Sequence, residues 1–182
     1  MVFEVVITTK KDDIFNIAPM GIKLIGKNTV LMSPYNTSHT YLNLRDTGEG
    51  VINFTDNVEI FARSVTSDII FPWCPAKFIE GWILEDAYMY LEVKVKNSYD
   101  NQDRVYFKAQ ILDKQERRIP YMFNRARSLV VEAAILMSRV KICSKEKIDS
   151  FFFNNEAIVL KTGGRKEIAA WEYLVSILKK ET

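Results

Sequence analysis

The sequence has a single histidine, His39, and two cysteines, which removes several common kinds of site chemistry. One histidine cannot supply a multi-histidine metal site, and it leaves any Ser-His-Asp arrangement dependent on one side chain. Cys74 and Cys143 are far apart, without a CxxC pattern or a nearby histidine, so the usual zinc spacings are excluded. We therefore expect two reduced thiols, no metal site and no catalytic triad.

Long apolar runs and an excess of one charge are also missing. No apolar run reaches the roughly 20 residues that cross a bilayer, and the N-terminus lacks the basic and apolar blocks of a signal peptide. The net charge is only +2, with 25 basic and 23 acidic residues interspersed, so the electrostatic signature of nucleic-acid binding is weak. These absences predict a cytoplasmic protein that binds neither membranes nor nucleic acids.

The 182 residues, 48% of them apolar, can bury one full core, with or without a packed appendage. Up to residue 120 the pattern predicts mainly strands, over residues 2–8, 14–20, 22–25, 29–33, 50–54, 87–95 and 105–113. Around residues 88–96 apolar residues alternate with charged ones, among them Glu92 and Lys94. This alternation predicts one buried face and one solvent-exposed face.

Turns and helices complete the predicted order. Gly26-Lys27-Asn28 predicts a hairpin, and two short helices are expected over 38–45 and 58–64, the second capped by Asp56 or Asn57. After residue 120 the period becomes helical: one helix capped by Asn124, one over 144–153, and a last one after Gly163-Gly164. We predict a mainly β chain with added helices (α+β), in which an antiparallel barrel over 1–120 precedes a helical extension over 121–182 packed on it.

The second strand contains an unusual run of small residues, Asn16-Ile17-Ala18-Pro19-Met20-Gly21. Proline lacks a backbone donor and is tolerated in a sheet only at an edge or a bulge, and small residues in a strand often mark close approach by a ligand or another backbone. The segment therefore predicts a sheet edge that faces a flat partner.

Two helix starts are candidate anion sites. Residues 33–40, with Thr37, Ser38, His39 and Thr40, combine hydroxyls, an imidazole and helix N–H groups that can hold phosphate, although hydroxyls also cap helices for structural reasons. Arg125 and Arg127 lie in the first turn of a helix, where the dipole makes positive charge unfavourable. An anion gripped by both arginines would relieve this; alternatively, they turn outward or meet acidic residues from elsewhere.

Two further features have both a structural and a ligand-binding interpretation. Asn53 and Thr55 follow a buried strand, where their amide and hydroxyl could meet a ligand or simply begin a helix. The middle of the chain is rich in aromatic residues that form core or wall a planar ligand, namely Phe71, Trp73, Phe78, Trp82, Tyr88 and Tyr90. Stacking of single-stranded bases in an oligonucleotide-binding barrel is a third reading, which the missing basic groove disfavours.

Four segments together resemble an uncharacterised, largely archaeal family of flavin-reductase-like proteins with the FMN-binding split-barrel fold. They are residues 16–21, residues 40–44 with 50–55, residues 123–127 with Glu132-Ala133-Ala134, and the link Lys161-Thr162-Gly163-Gly164. The similarity covers nearly the whole chain, and the order and spacing of the segments carry it. It implies a homodimeric split barrel that binds FMN near the subunit interface.

The resemblance also implies which residues contact the cofactor. The isoalloxazine would lie against Asn16, Ala18, Pro19, Met20 and Gly21. The phosphate would lie at Thr37, Ser38 and Thr40, and Asn53 and Thr55 would contact the ring edge. Well-characterised flavin reductases often carry a basic residue in the phosphate segment, which here has no Lys or Arg before Arg45. Arg125 and Arg127 are the candidates for the missing charge, with Asn124 beside them as a further cofactor-binding candidate.

The expected activity follows from the cofactor. We expect an FMN-dependent oxidoreductase that passes a hydride from NADH or NADPH to flavin, which would account for the missing triad. The alternative is a non-catalytic flavoprotein that carries FMN, senses it or transfers electrons. Related split barrels also host deazaflavin or haem, and the electron donor and acceptor stay open at this point.

Overall fold

The structure, a computed structural model, describes residues 1–12, 14–66, 71–120, 124–140 and 142–180. The described residues form eight strands, β1 Phe3–Lys11, β2 Ile14–Leu24, β3 Thr29–Met32, β4 Glu49–Phe54, β5 Trp73–Pro75, β6 Trp82–Leu84, β7 Met89–Asn101 and β8 Arg104–Glu116. They also form five helices, α1 His39–Thr47, α2 Val58–Arg63, α3 Arg125–Met137, α4 Lys145–Thr162 and α5 Arg165–Lys180. The chain divides into two units, Met1–Thr55 with Ile70–Pro120 and Asp56–Ile69 with Tyr121–Thr182.

The first unit is a closed antiparallel barrel in the order β1-β2-β3-β8-β7-β4, as the alternating strand pattern predicted. Alternate residues of each strand point inward and fill the interior. Its core is aliphatic and aromatic, with Leu44 of α1 packed into it, and includes Val5, Ile7, Ile22, Val30, Met32, Ile52, Phe54, Leu91, Val93, Val105, Phe107 and Ala109. The predicted α+β fold, a barrel followed by C-terminal helices, is confirmed.

β2 is one long strand, where the sequence predicted two, over 14–20 and 22–25. Gly21 does not interrupt it: it pairs with Glu4 of β1, and a Cβ atom there would lie 2.9 Å from Val2 Cγ1. Glycine thus allows Val2 to pack closely over this position, and the strand continues through it. The predicted hairpin at residues 26–28 is confirmed as the β2–β3 connection, with Gly26 at φ +68°. The predicted turn before β2 includes Asp13, which lies outside the described residues.

The prediction that Glu92 lies on a solvent-exposed face is wrong. Its side chain is fully buried, and its carboxylate accepts hydrogen bonds from the backbone N–H groups of Lys77 (2.9 Å) and Phe78 (2.7 Å). The cover is the antiparallel β5–β6 hairpin and the segment 76–81 inside it, neither of which was predicted. Because two donors satisfy the charge, the buried carboxylate is tolerated.

The second unit contains α2 to α5. Asn57 and Asn124 cap α2 and α3 as predicted, each accepting a hydrogen bond from a backbone N–H in the first turn. α4 runs nine residues further than predicted, from Lys145 to Thr162, before Gly163-Gly164 separate it from α5. Within the described residues, none of the helices combines the length and the hydropathy needed to cross a membrane.

Candidate functional site

β2 presents an open backbone edge along the run of small residues. The strand pairs with β1 from Ile14 to Ile22, whereas β3 pairs only with residues 22–24. Among the described residues, the second edge of β2 over residues 14–21 therefore has no ladder partner. Pro19 lies in this stretch, opposite Val6 of β1. The predicted sheet edge at Pro19 is confirmed, and residues 15–21 are all half-buried.

The side chains of this stretch alternate between the two faces of the barrel wall. Asn16 and Ala18 pair with Thr9 and Ile7, so they share the inward face, and Met20 packs against the core from the same side. Pro19 and its neighbours at odd positions share the outward face. The edge thus offers a small methyl group and an amide on one side, and a proline ring on the other.

The predicted phosphate segment lies at the N-terminus of α1. Ser38 is the N-cap: its hydroxyl accepts from the Tyr41 N–H (3.2 Å) and donates to the Tyr35 carbonyl (2.7 Å). Thr37 and His39 are exposed, whereas Thr40 is buried. The first turn of α1 holds no acidic residue, so its positive dipole end is not neutralised by its own sequence.

A direct contact joins the predicted ring-binding residues of β2 to the predicted phosphate-binding residues at the start of α1. The Asn16 amide nitrogen donates to the Thr40 hydroxyl at 2.9 Å and to the Thr9 hydroxyl at 3.4 Å. Asn43 of α1 donates to the same Thr9 hydroxyl at 3.1 Å. Two predicted sets of residues, from separate segments of the sequence, therefore meet at one end of the barrel.

The side chains of Asn53 and Thr55, at the end of β4, form hydrogen bonds to other residues of the barrel unit. Asn53 is fully buried; its amide oxygen accepts from the Leu84 N–H (2.9 Å), and its nitrogen contacts the Val6 carbonyl (3.3 Å) and the Thr8 hydroxyl (3.3 Å). The Thr55 hydroxyl donates to the Asp86 carbonyl at 3.2 Å. The Asn53 amide therefore ties the outer barrel wall to β6.

Aromatic rings form a second feature on the outer wall. Trp73 and Trp82 stack with centroids 3.8 Å apart and an interplanar angle of 3°, and Phe15 of β2 stacks against Trp82. Trp73 is 37% exposed and Phe78 54%, whereas Tyr90 is buried. The aromatic-rich middle thus divides into core and a half-exposed stack.

In the second unit, Asn124, Arg125 and Arg127 begin α3. Asn124 caps the helix and also donates to the Thr162 carbonyl at 3.0 Å. Arg127 Nε donates to Glu167 at 2.8 Å, and its Nη1 lies 3.8 Å from Asp56. Arg125 is exposed, and among the described residues its guanidinium has no hydrogen-bond or ion-pair partner. Phe123, quoted in the same motif, lies outside the described residues.

Glu167 is a buried carboxylate beside the α3 N-terminus, 6% exposed. Burial raises its pKa, but hydrogen bonds from Arg127 and from backbone N–H groups, including that of Gly164 at 2.9 Å, lower it, and the net pKa lies below the ordinary value of 4.5. Thus Arg127 meets acidic residues from elsewhere in the sequence, one of the two alternatives the sequence offered.

Sequence reasoning missed Thr9 and Asn43, which complete the network around Asn16. Thr9 is a buried hydroxyl at an inward position of β1, and Asn43 is a buried amide in α1. A polar residue among apolar inward positions is a signal that could have identified Thr9. Asn43 has no comparable signal, because its partner lies 34 residues away in the chain.

Comparison with known proteins agrees with this architecture. The family model described as "Protein of unknown function (DUF447) N-terminal domain" matches residues 3–118, and the model "Protein of unknown function (DUF447)" matches residues 124–176. The uncharacterized protein MJ1453 of Methanocaldococcus jannaschii is 30% identical in an alignment that covers 91% of this chain and 92% of the relative.

Solved structures share the fold. The crystal structure of the FMN-bound DUF447 protein MM1853 from Methanosarcina mazei superposes with a TM-score of 0.84 at 21% identity, over 96% of this chain and 94% of that one. The flavin reductase HpaC complexed with NADP+ has a TM-score of 0.56 at 18% identity, over 68% and 82% of the two chains. The NADH:FAD oxidoreductase SgcE6 of Streptomyces globisporus has a TM-score of 0.56 at 11% identity, over 63% and 75%.

The two family matches cover most of the chain, one on each side of residue 120, and the M. jannaschii relative matches along nearly its full length. The resemblance that the sequence motifs carried is thereby confirmed. The chain belongs to the DUF447 family, whose M. mazei structure has the same barrel and helices.

Proposed function

We propose that this protein is an FMN-binding flavoprotein that uses the open edge of β2 for the ring and the N-terminus of α1 for the phosphate. The observation that carries the proposal is the likeness, over nearly the whole chain, to the FMN-bound protein of M. mazei. The flavin reductases among the structural neighbours support the same class of ligand.

The residues of the β2 edge fit a planar ring. Ala18 and Pro19 present little bulk, and the half-buried stretch leaves apolar and backbone surface accessible. Asn16 adds a polar group at one end of the stretch, while Met20 and Gly21 continue it at the other. A mostly apolar surface with a few placed polar groups is the usual make-up of a cofactor site.

The start of α1 fits an anion. Its dipole end is positive, and no acidic residue lies in its first turn. Thr37 and His39 are exposed next to Ser38, so a hydroxyl and an imidazole are available for phosphate oxygens. Thr40 is buried and bonded to Asn16, and we propose that it supports the site from behind.

The resemblance implies that Asn53 and Thr55 contact the ring edge, but we propose a supporting role for them instead. Asn53 has no exposed surface, and its amide is bonded to β6 and to the barrel wall. We therefore propose that both residues shape the end of β4 and the wall beside β1. Direct contact with the ring would require the Leu84 and Asp86 hydrogen bonds to be replaced.

Phosphate binding by Asn124, Arg125 and Arg127 stays a prediction. The test compares FMN with riboflavin, which lacks the phosphate, in Arg125→Ala and Arg127→Ala. A selective loss of FMN affinity of about 10-fold in either variant would support it, because a charged hydrogen bond contributes about 1.5 kcal/mol or more. Equal effects on both flavins, or none, would overturn it.

We propose that the activity is that of an oxidoreductase moving hydride or electrons between a reduced nicotinamide and flavin or another acceptor. Bound FMN supplies the hydride chemistry. The chain would then orient the ring through β2, fix its polar edge through Asn16 and hold the phosphate at α1. The second candidate, a carrier, sensor or electron-transfer partner, has the same site without turnover.

Titration of flavin-free protein with FMN tests the binding proposal. Quenching of flavin fluorescence should saturate at one FMN per chain, and riboflavin should bind more weakly because it lacks the anchor at α1. Protein that leaves flavin fluorescence unchanged at micromolar concentration would contradict it.

Anaerobic stopped-flow absorbance separates the two activities. If the protein is a reductase, NADH or NADPH will bleach the flavin band of the loaded protein within seconds. If neither nicotinamide bleaches it while dithionite does, the carrier or electron-transfer role is supported and the reductase role is excluded.

We also propose a homodimer, as the split-barrel resemblance implies. The unpaired edge of β2 over residues 14–21 supports it, because open strand edges in soluble proteins are generally covered. Sedimentation equilibrium should give twice the 21.1 kDa of one chain, and a monomer at micromolar concentration would argue against the proposal.

A further inference from the structure

The Asn16 amide nitrogen is held between two threonine hydroxyls. It lies 2.9 Å from Thr40 Oγ1 and 3.4 Å from Thr9 Oγ1. Both threonines are buried, at 2% and 1% exposure. A primary amide nitrogen carries two N–H donors, and each has an acceptor here. The nitrogen end of the side chain is therefore directed into the protein.

Asn43 holds this arrangement from the opposite side. Its amide nitrogen donates to Thr9 Oγ1 at 3.1 Å, and the side chain is 7% exposed. Thr9 lies directly opposite Asn16 in the β1–β2 ladder. The network thus ties β1, β2 and α1 together, so a change in the Asn16 orientation would disturb all three elements.

The oxygen end of Asn16 is open. Among the described residues, Oδ1 has no hydrogen-bond partner. The one fully buried side-chain polar atom without a partner there is Trp171 Nε1, so Asn16 Oδ1 is accessible to solvent. It stands on the same face of β2 as Ala18, along the open edge. The site therefore presents a fixed hydrogen-bond acceptor.

We infer that Asn16 selects a ligand edge that carries an N–H donor, and that Thr9, Thr40 and Asn43 are positioning residues that keep its amide oxygen turned away from them and accessible to a ligand. This rests on the proposed function. The oxidised isoalloxazine has a single N–H, at N3 between two carbonyl groups, and Asn16 Oδ1 accepts from it. A reversed amide would present its N–H donors to those carbonyls instead, and both threonine hydroxyls would then have to donate to Oδ1 where they now accept from Nδ2.

The test compares the affinity of the protein for FMN with its affinity for N3-methyl-FMN, in which a methyl group replaces the N3 hydrogen. The protein should bind FMN about 10-fold more tightly, because a site that hydrogen-bonds a ligand N–H rejects an analogue that lacks it. Asn16→Leu keeps the volume and removes the acceptor, so FMN affinity should fall about 10-fold while N3-methyl-FMN affinity stays unchanged. Asn97→Leu, on the exposed part of β7, is the matched control and should keep the preference.

Thr40→Val tests whether the orientation of the Asn16 amide, and not the bulk of Asn16, gives the preference for FMN. The variant leaves Asn16 in place but removes one hydroxyl that orients it, so the preference for FMN should fall about 3-fold, and Thr40→Ser should restore it. With 15N-labelled FMN, the N3 proton resonance should move downfield on binding to the native protein and not on binding to Asn16→Leu. If Asn16 acted as a steric wall, Thr40→Val and Asn16→Leu would both keep the preference.

Two outcomes would overturn the inference in distinguishable ways. If FMN and N3-methyl-FMN bind equally well, flavin binding stands and the acceptor role of Asn16 is wrong. If neither flavin binds, the proposed function fails and the inference fails with it.

Discussion

Arg125 and Arg127 lie two positions apart in the first turn of α3, yet their surroundings are opposite. Arg127 donates to the buried Glu167 and lies near Asp56, whereas Arg125 extends into solvent. An ion pair with a buried partner is costly to break, because the remaining charge stays buried. The two arginines should therefore differ in what they contribute to folding.

We predict that Arg127→Ala lowers the free energy of unfolding by about 2 kcal/mol, since Glu167 loses a charged hydrogen bond. Arg125→Ala, the matched control, should change it by less than about 0.5 kcal/mol. Urea unfolding followed by circular dichroism measures both. Equal effects would mean that the Arg127–Glu167 contact does not stabilise the fold.

Glu167 also makes the stability depend on pH. Its pKa in the folded chain lies below the ordinary 4.5, so the ionised form is the one that folding favours. The stabilisation is fully present above pH 4.5 and is lost as the pH falls through the lower folded pKa.

Glu167→Gln should accordingly be less stable than the native protein at neutral pH, and the gap should narrow as the pH falls from about 7 to about 3. Glu172→Gln, an exposed carboxylate on the same helix, serves as the control and should follow the native curve. Urea midpoints across this range provide the comparison. A gap that widens toward low pH would contradict the direction of the Glu167 pKa shift.

Local residue roles could be predicted and distant ones could not. Asn57 and Asn124 were identified as caps because a cap bonds within its own first turn. Glu167 lies 40 residues from Arg127, and nothing near either residue indicates the contact. The Asn53 amide shows the same limit, because its partner Leu84 follows 31 residues later.

At the scale of elements, Glu92 couples β7 to the segment between β5 and β6. Its carboxylate binds two consecutive backbone N–H groups, those of Lys77 and Phe78. Alternation along β7 predicted that Glu92 is exposed. The hairpin that covers Glu92 was not predicted, because β5 and β6 have only three residues each and give little strand signal. The buried position follows from the cover that this hairpin provides.

Glu92→Gln should therefore loosen residues 76–81 while the barrel stays folded. The amide retains one acceptor oxygen but not the charge, so the Lys77 and Phe78 amides should exchange with solvent about 10-fold faster. Hydrogen-exchange NMR measures this, with the exposed Glu116→Gln on β8 as the control. Unchanged exchange at Lys77 and Phe78 would show that other contacts hold the segment.

The open edge of β2 is the element on which the proposed ring site depends. Its location was predictable because proline at a strand edge has a local cause, the missing N–H. The continuation of the strand through Gly21 was not, because it depends on pairing with Glu4 of β1, 17 positions earlier in the chain.

Ala18→Leu should weaken FMN binding, because the larger side chain occupies the edge where the ring would lie. We expect a loss of at least 10-fold in affinity, which corresponds to about 1.4 kcal/mol. Because Ala18 is half-buried on the inward face of β2, opposite Ile7, the unfolding midpoint of Ala18→Leu is measured beside its FMN affinity, and the loss of affinity is read only from folded protein. Ser98→Leu, on the exposed arm of β7, is the control. Unchanged FMN affinity in Ala18→Leu would place the ring elsewhere.

For the molecule as a whole, periodicity predicted the barrel and the helical unit, and the order of short motifs indicated an uncharacterised flavin-reductase-like family. The family models identify the family as DUF447. Periodicity reports which face of each element is buried, so it predicts element type well. It carries no information on the partners of single polar groups. That is why Thr9 and Asn43 emerge only from the three-dimensional structure.

Every role proposed for β2 and α1 requires that this protein hold FMN. The absorption spectrum of the purified protein tests this, followed by denaturation and mass spectrometry of the released cofactor. We expect flavin bands in the folded protein and FMN in the released fraction, in a ratio near one per chain. A colourless preparation that also fails to take up added FMN, or one that releases a deazaflavin or haem instead, would contradict it.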